Sequence, residues 1–292
     1  MELERYQALV CALETGSLTA AAERLHYTPS GMSRMMAALE EEVGFPLLIR
    51  RHEGVLPTPE CESLLPFVRE FIFHGEACRQ QTARIRGIEV GAVTIGTAYS
   101  EYYGLISEVI AGFRRRHPAV VVQMLGGFST PLARMLEQRQ IDLCLISRRE
   151  GEFGWHSCGR DELMAWIPAG HRLAAADEVP VSAFRTEPYI EIFPGQDSDN
   201  ARLFRDSRIR PNTQFTTTDS HSAQAMVEAG LGITLNNALN SRGRGNGLKV
   251  LPLAPRYSVE IGVAVGSSVS PVAQAFLQEL LPALTLEGLK KK

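Results

Sequence analysis

The sequence predicts a helix-rich head followed by a larger α/β region, the two joined by one long helix. Three observations carry this. Helix-start signals recur early in the chain, at Ser17, Thr28-Pro29 and Thr58-Pro59. A run from 59 to about 86 has a broad apolar side and is compatible with one helix. Past Gly87, strand-like and helix-like segments alternate, the pattern of parallel sheets covered by helices.

In order, Leu3, Tyr6, Val10 and Leu13 recur at helical spacing and mark one face of a first helix. Gly16-Ser17 interrupts it. Ser17 can cap "LTAAAERL", with Ala21, Ala22 and Leu25 inward. Thr28 and Pro29 start a third helix with Met32, Met36 and Leu39 on one side, and Gly44 and Pro46 stop it. Leu47–Arg50 and Val55–Thr58 can pair around a turn containing Gly54, forming a small hairpin or wing. The 59–86 helix would be about 40 Å long at about 1.5 Å per residue. Its side of Leu64, Leu65, Phe67, Val68, Phe71 and Ile72 cannot be buried by one isolated helix, so a partner chain is the economical explanation. Pro66 predicts a kink or a later helix start.

The α/β region opens with strands "VGAVTIG", "VVVQML" and "IDLCLIS", separated by helices from about Ser100 to Arg116 and from about Thr130 to Glu137. Later strands are predicted at "LMAWI", "PYIEIF", "TQFTT", "GITLN", "LKVLPL" and "VEIGVAV", with helices near 200–206, 220–229 and 271–284. Ser241 to Gly247 reads as a loop, and Lys290-Lys291-Lys292 as a basic tail.

A chain of 292 residues suits two to three compact units. No stretch of about 18 apolar residues appears, so no membrane partner is expected. "MELERYQALV" lacks the basic start and apolar run of a signal peptide, leaving the cytoplasm as the default compartment. Cys11, Cys61, Cys78, Cys144 and Cys158 form no CxxC pair, and no His pair has zinc spacing. Neither a metal nor a cofactor is read from them. Free thiols are expected, with a redox pair of Cys144 and Cys158 as the alternative. The net charge is −3, and residues 1–90 alone carry −4. Any nucleic-acid footprint must therefore be local.

One motif offers such a footprint. A helix-turn-helix needs two helices, a tight turn and an exposed reading face. "SLTAAAERLHYTPSGMSRMMAALEEEVG" supplies all three, with alanines that let the helices approach and His26-Tyr27 at the turn. The outer face then carries Thr28, Pro29, Ser30, Ser33, Arg34 and Ala37, short enough to enter a major groove. Arg50 and Arg51 on the wing can reach phosphate. The competing reading is a plain helical bundle with solvated arginines.

From Leu3 to Pro59 the chain resembles the head of the LysR-type transcriptional regulators. The matching pieces are "ETGSLTAAAERLHYTPSGMSRMMAALEEEVGFPLLIRR" and "LPTPE". "GAVTIGTAYS", "GFRRRHPAVVVQM", "IDLCLIS", "AGHRLA" and "VEAGLGITLNN" follow in family order, so the resemblance covers essentially the whole chain. Two departures stand out. The third helix starts Thr28-Pro29-Ser30-Gly31-Met32-Ser33, with no glutamine, and Cys61 stands where relatives usually have glycine.

The resemblance implies a winged helix-turn-helix DNA-binding domain over 1–58, a dimerising linker helix over 59–86 and an effector-binding domain over 87–292. That last domain would be periplasmic-binding-protein-like, with two α/β subdomains, about 91–161 plus 267–292 and about 162–266. Its effector cleft would be bounded by three corners: Thr97, Ala98, Tyr99 and Ser100; Phe128, Ser129 and Thr130; Thr218, Asp219 and Ser220. Each hydroxyl there also reads as a helix cap. Ser147 and Arg148 could line the cleft, Arg148 equally being a surface charge. The implied partners are operator DNA, a small-molecule effector, and a second copy in a dimer or tetramer. RNA polymerase is a further partner that transcription control allows. Three helix N-termini around one cleft suggest a small organic anion as effector. Against this, Asp219 could cap its own helix and repel an anion.

Other classes fit less well. A solute-binding protein of this fold would need an export signal and no DNA-binding head. GxGxxG, Walker, GxSxG and HExxH patterns are absent, and the histidines seed no triad, so no catalytic site is expected.

Overall fold

The computed structural model describes residues 2–51, 54–85, 90–242 and 247–284, and the chain divides into two compact units, 1–91 and 92–292. The anticipated 241–247 loop lies largely outside the described residues, and the basic tail wholly so.

The first unit is built from α1 (Leu3–Thr15), α2 (Leu18–Arg24), α3 (Pro29–Val43), a hairpin of β1 (Leu48–Arg51) and β2 (Gly54–Pro57), and α4 (Pro59–Ile85). Its core joins Ala8, Leu9, Ala12, Ala21, Ala22, Met32, Met36 and Leu39. The buried face of α1 is Tyr6, Ala8, Leu9, Cys11 and Ala12, with Val10 and Leu13 only half-buried. The anticipated stripe is thus rotated towards the small residues, because close approach of α2 and α3 selects alanine over bulk.

The hairpin pairs Arg50 with Val55 and Arg51 with Gly54. Gly54 adopts φ +135°, and a Cβ there would collide with the Gly16 carbonyl oxygen. That carbonyl accepts a hydrogen bond from Val55 N at 2.9 Å, which locks the wing onto the α1–α2 turn. Glu40 on α3 adds a second anchor by accepting from Leu47 N (2.8 Å) and Leu48 N (3.1 Å).

The helix α4 runs through Pro66 without the later start expected there. Its apolar side is largely covered by the head itself. Val68 is buried, Leu64, Leu65, Phe71 and Ile72 pack against the head core, and Phe71 meets Tyr6 edge-on at 5.3 Å. The inference that this side needs a partner chain is therefore corrected for most of its members. Phe67, 72% exposed, is the clear exception.

In the second unit, strands β3 (Gly91–Thr97), β4 (Val120–Gly126), β5 (Leu143–Ser147), β6 (Phe153–Pro168), β7 (Val179–Pro180), β11 (Leu248–Ala254) and β12 (Ser258–Gly266) form one sheet in the order β4-β3-β5-β12-β6-β11-β7. Strand β10 (Thr234–Asn237) also pairs with β6. The strands β8 (Tyr189–Ile192) and β9 (Thr213–Thr217) form a separate parallel pair. The helices are α5 (Tyr103–Arg116), α6 (Ser129–Glu137), α7 (Asp199–Asp206), α8 (Ser220–Glu228) and α9 (Pro271–Ala283).

Alternation alone suggested parallel sheets, but the main sheet is mixed. β3 and β5 are parallel, whereas β12 runs antiparallel to both β5 and β6. β6 is much longer than the expected "LMAWI" segment. Its first half alternates between half-buried and exposed residues and carries too many polar ones to read as an apolar run. It crosses from one subdomain into the other. β12 belongs to the first subdomain, since Ile261, Val263 and Val265 pack with Val93, Ile95 and Phe276. The chain thus returns there near Ser258 and not at 267, a correction set by strand pairing.

Candidate functional site

In the head, Ser17 caps α2 by accepting from Ala20 N at 3.3 Å, and Thr28 caps α3 by accepting from Gly31 N at 3.1 Å. His26 sits in the turn between them at φ +58°, a left-handed conformation that tightens the reversal. Thr28, Pro29, Ser30, Arg34 and Ala37 form the exposed face of α3, and Ser33 is half-buried at its side. Arg50 and Arg51 are exposed on β1. Tyr27, 42% exposed beside the start of α3, was not singled out in the sequence because it reads as a turn residue.

The second unit contains a cleft of about 310 Å³. Ala98, Tyr99 and Ser100 line it after β3, Phe128 and Ser129 at the start of α6, and Thr218 and Asp219 before α8. The three anticipated corners thus converge. From the second subdomain come Phe193, Asp199, Asn200, Asn236, Asn237 and Asn240. Phe128 and Phe193 stack across the gap with centroids 4.2 Å apart and planes inclined by 19°.

Four anticipated residues have other positions. Thr97 is fully buried, its hydroxyl accepting from Tyr99 N at 3.1 Å to shape the turn. Thr130 and Ser147 lie behind the cleft wall in a buried network. Thr130 donates to Asp197 O (2.7 Å), and Ser147 Oγ donates to Asp199 Oδ1 (2.8 Å) while in contact with Ser129 Oγ (2.8 Å). Arg148 is exposed, stacked over Trp155 at 4.7 Å, and does not line the cleft.

The arginine of the cleft is Arg149, only 5% exposed. It pairs with Asp199 at 3.0 Å and also bonds Thr130 Oγ1 and Ser147 Oγ, both at 2.8 Å. Strand alternation could have found it, because Ser147 and Arg149 share a face of an extended chain while Arg148 takes the other. Asp219 caps α8, accepting from His221 N (2.9 Å), Ser222 N (2.8 Å) and Ser222 Oγ (2.6 Å). The Ser222 bonds hold its carboxyl below the usual carboxylate range. Near the point where β6 passes between subdomains, burial pushes the Asp161 carboxyl up to about 7, against the opposing effect of its hydrogen bond from Leu239 N.

Two family descriptions match this chain. "Bacterial regulatory helix-turn-helix protein, lysR family" covers residues 3–62, and "LysR substrate binding domain" covers 86–285.

The chain belongs to the LysR family.

It is a LysR-type DNA-binding transcriptional regulator with an effector-binding domain, and not an enzyme. The HTH-type transcriptional regulator YybE of Bacillus subtilis is 25% identical over 287 residues, covering 96% of this chain and 98% of that protein. The malonate utilization transcriptional regulator of Klebsiella pneumoniae is 24% identical over 251 residues, covering 84% and 82%. A full-length OxyR variant from Pseudomonas aeruginosa shares the fold with a TM-score of 0.73 at 19% identity, over 98% of this chain and 95% of that one. Full-length CbnR in complex with its target DNA matches with a TM-score of 0.61 at 19% identity, over 97% and 100%.

Within this LysR-type chain the cysteine alternative fails on geometry. Cys144 packs with Leu132, Ile146 and Ala264, whereas Cys158 packs against the Val93 and Ile261 cluster on the other face of the sheet. Burial pushes both thiols up, and raises Cys61 to about 11 inside the head core. No helix among the described residues is long and apolar enough to cross a membrane.

Proposed function

We propose that this regulator reads operator DNA with the outer face of α3, anchors on phosphate through Arg50 and Arg51, and is controlled by a small molecule held in the cleft of its second unit. The observation that carries the effector reading is the cleft itself, about 310 Å³ and walled from both α/β subdomains by aromatic and amide side chains. A ligand that binds the closed cleft better than the open one shifts the population between two states, and nothing else about the ligand is required. Dimer formation through α4, with further assembly to a tetramer, fits the exposed Phe67.

Of the helix N-termini that suggested an organic anion, that of α8 is closed by Asp219 and that of α6 has no side-chain cap, while the cleft arginine is paired with Asp199.

Two measurements test the reading. Arg34→Ala should weaken operator binding by about 1–3 kcal/mol in a gel-shift titration if Arg34 touches a base; unchanged affinity removes that role. A metabolite that raises thermal stability should do so by about 2.7 kcal/mol at 100 times its Kd. His221→Trp, which fills the cleft from an exposed position, should abolish that gain. An undiminished gain would place the ligand elsewhere.

A further inference from the structure

We propose that the cleft selects an uncharged polar ligand, bearing groups such as carboxamide or hydroxyl that both donate and accept hydrogen bonds, and discriminates against carboxylates and amines alike. This rests on the effector reading of the cleft.

Arg149 is the only Arg or Lys among the described cleft-lining residues. Its guanidinium has five N–H donors, and each of its three nitrogens donates to a protein oxygen. Nε donates to Thr130 Oγ1 at 2.8 Å. Nη1 donates to Ser147 Oγ (2.8 Å), Arg148 O (3.0 Å) and Ser147 O (3.2 Å). Nη2 pairs with Asp199 Oδ1 at 3.0 Å and reaches Asp197 O at 3.5 Å. At most one Nη2 N–H is left, too few for the bidentate grip by which arginine recognises a carboxylate, and its charge is paired with that of Asp199.

The second carboxylate on the lining, Asp219, is exposed at the rim. It takes up the N-terminal N–H groups of α8 and their partial positive charge. A ligand carboxylate would lose water on entry, find the cleft arginine already paired and approach Asp219, with the partial positive charge at the α6 N-terminus as its remaining support. A ligand ammonium meets the opposite obstacle. The charge of Asp199 is already offset by Arg149, so its Oδ2 offers an ammonium no net attraction, and the N-terminus of α6, which has no side-chain cap, presents positive dipole at Ser129.

What remains serves neutral groups. The Asn237 Nδ2 amide is buried without a hydrogen-bond partner beside the cleft. The ion pair with Arg149 and the bond from Ser147 Oγ both fall on Asp199 Oδ1, which leaves Oδ2 to accept from the N–H or O–H of a neutral ligand. Phe128 and Phe193 supply an apolar wall. A carboxamide or a hydroxyl can donate and accept at once, as this mixed lining asks.

The test is a crystallographic fragment screen of the full chain with matched sets sharing one skeleton, such as benzamide, benzyl alcohol, benzoate and benzylamine, followed by calorimetric titration of each set found in the cleft. Uncharged members should occupy the cleft, with matched carboxylates and amines about tenfold weaker. Asp219→Asn should narrow the gap for carboxylates while preserving the cap, since asparagine also caps helices. Carboxylates or amines binding as tightly as their uncharged counterparts would overturn this inference and leave the effector reading standing. A screen that finds fragments elsewhere on the protein and none in the cleft would overturn both.

Discussion

Replacing Arg149 by methionine preserves side-chain length and removes the charge. The structure lets the cost be worked out. Arg149 is 5% exposed and Asp199 9%, so the pair is truly removed from water. Loss of one partner strands the Asp199 carboxylate with the Ser147 hydroxyl as its remaining side-chain hydrogen-bond partner. Breaking a buried pair in this way costs about 3–5 kcal/mol. The loss also frees Thr130 and Asp197 O from the arginine that ties the end of β5 to the start of α7. Urea unfolding should report it through the two tryptophans, Trp155 and Trp166, which sit in the first and second halves of β6. The double substitution Arg149→Met with Asp199→Leu should cost less than Arg149→Met alone, because no charge is then stranded. A loss below about 1 kcal/mol for Arg149→Met, or a double-variant loss equal to the sum of the two single losses, would refute the argument.

Arg50→Ala should lower affinity for all DNA sequences alike and reduce the salt slope by about one contact; a changed base preference at constant slope in binding titrations would exclude a phosphate role. Phe67→Glu should disrupt self-association without unfolding the head, whereas Phe71→Glu should also destabilise it by removing the Tyr6 contact; light scattering with circular dichroism separates the two. Asp161→Asn tests the buried carboxyl. With a folded value of about 7, above the usual 3.8, folding favours the protonated form, so its stabilising contribution is complete below the unfolded value and is lost as pH rises through about 7. Between pH 5.5 and 8, wild type should therefore lose about 2 kcal/mol relative to Asp161→Asn in urea unfolding, and parallel pH profiles would show that Asp161 does not titrate there.

The sequence by itself determined whatever depends on neighbours along the chain. Ser17 and Thr28 cap as their positions indicate, because a cap bonds an amide three residues away. The alanines of α2 and the methionines of α3 face inward because helical periodicity is local. The Thr97–Ser100, Phe128–Thr130 and Thr218–Ser220 turns were visible as strand-to-helix junctions. Tertiary structure decided the rest. Whether α4 needs a partner depended on how much of its apolar side α1 could reach, and Phe71 against Tyr6 answers that for one half of the helix. The direction of β12 depended on pairing with β5, more than a hundred residues earlier in the chain, which no local pattern encodes. The charge of the cleft depended on Arg149 meeting Asp199 across fifty residues. Either residue alone reads as an ordinary surface charge, and only the folded chain buries the two together and pairs one with the other.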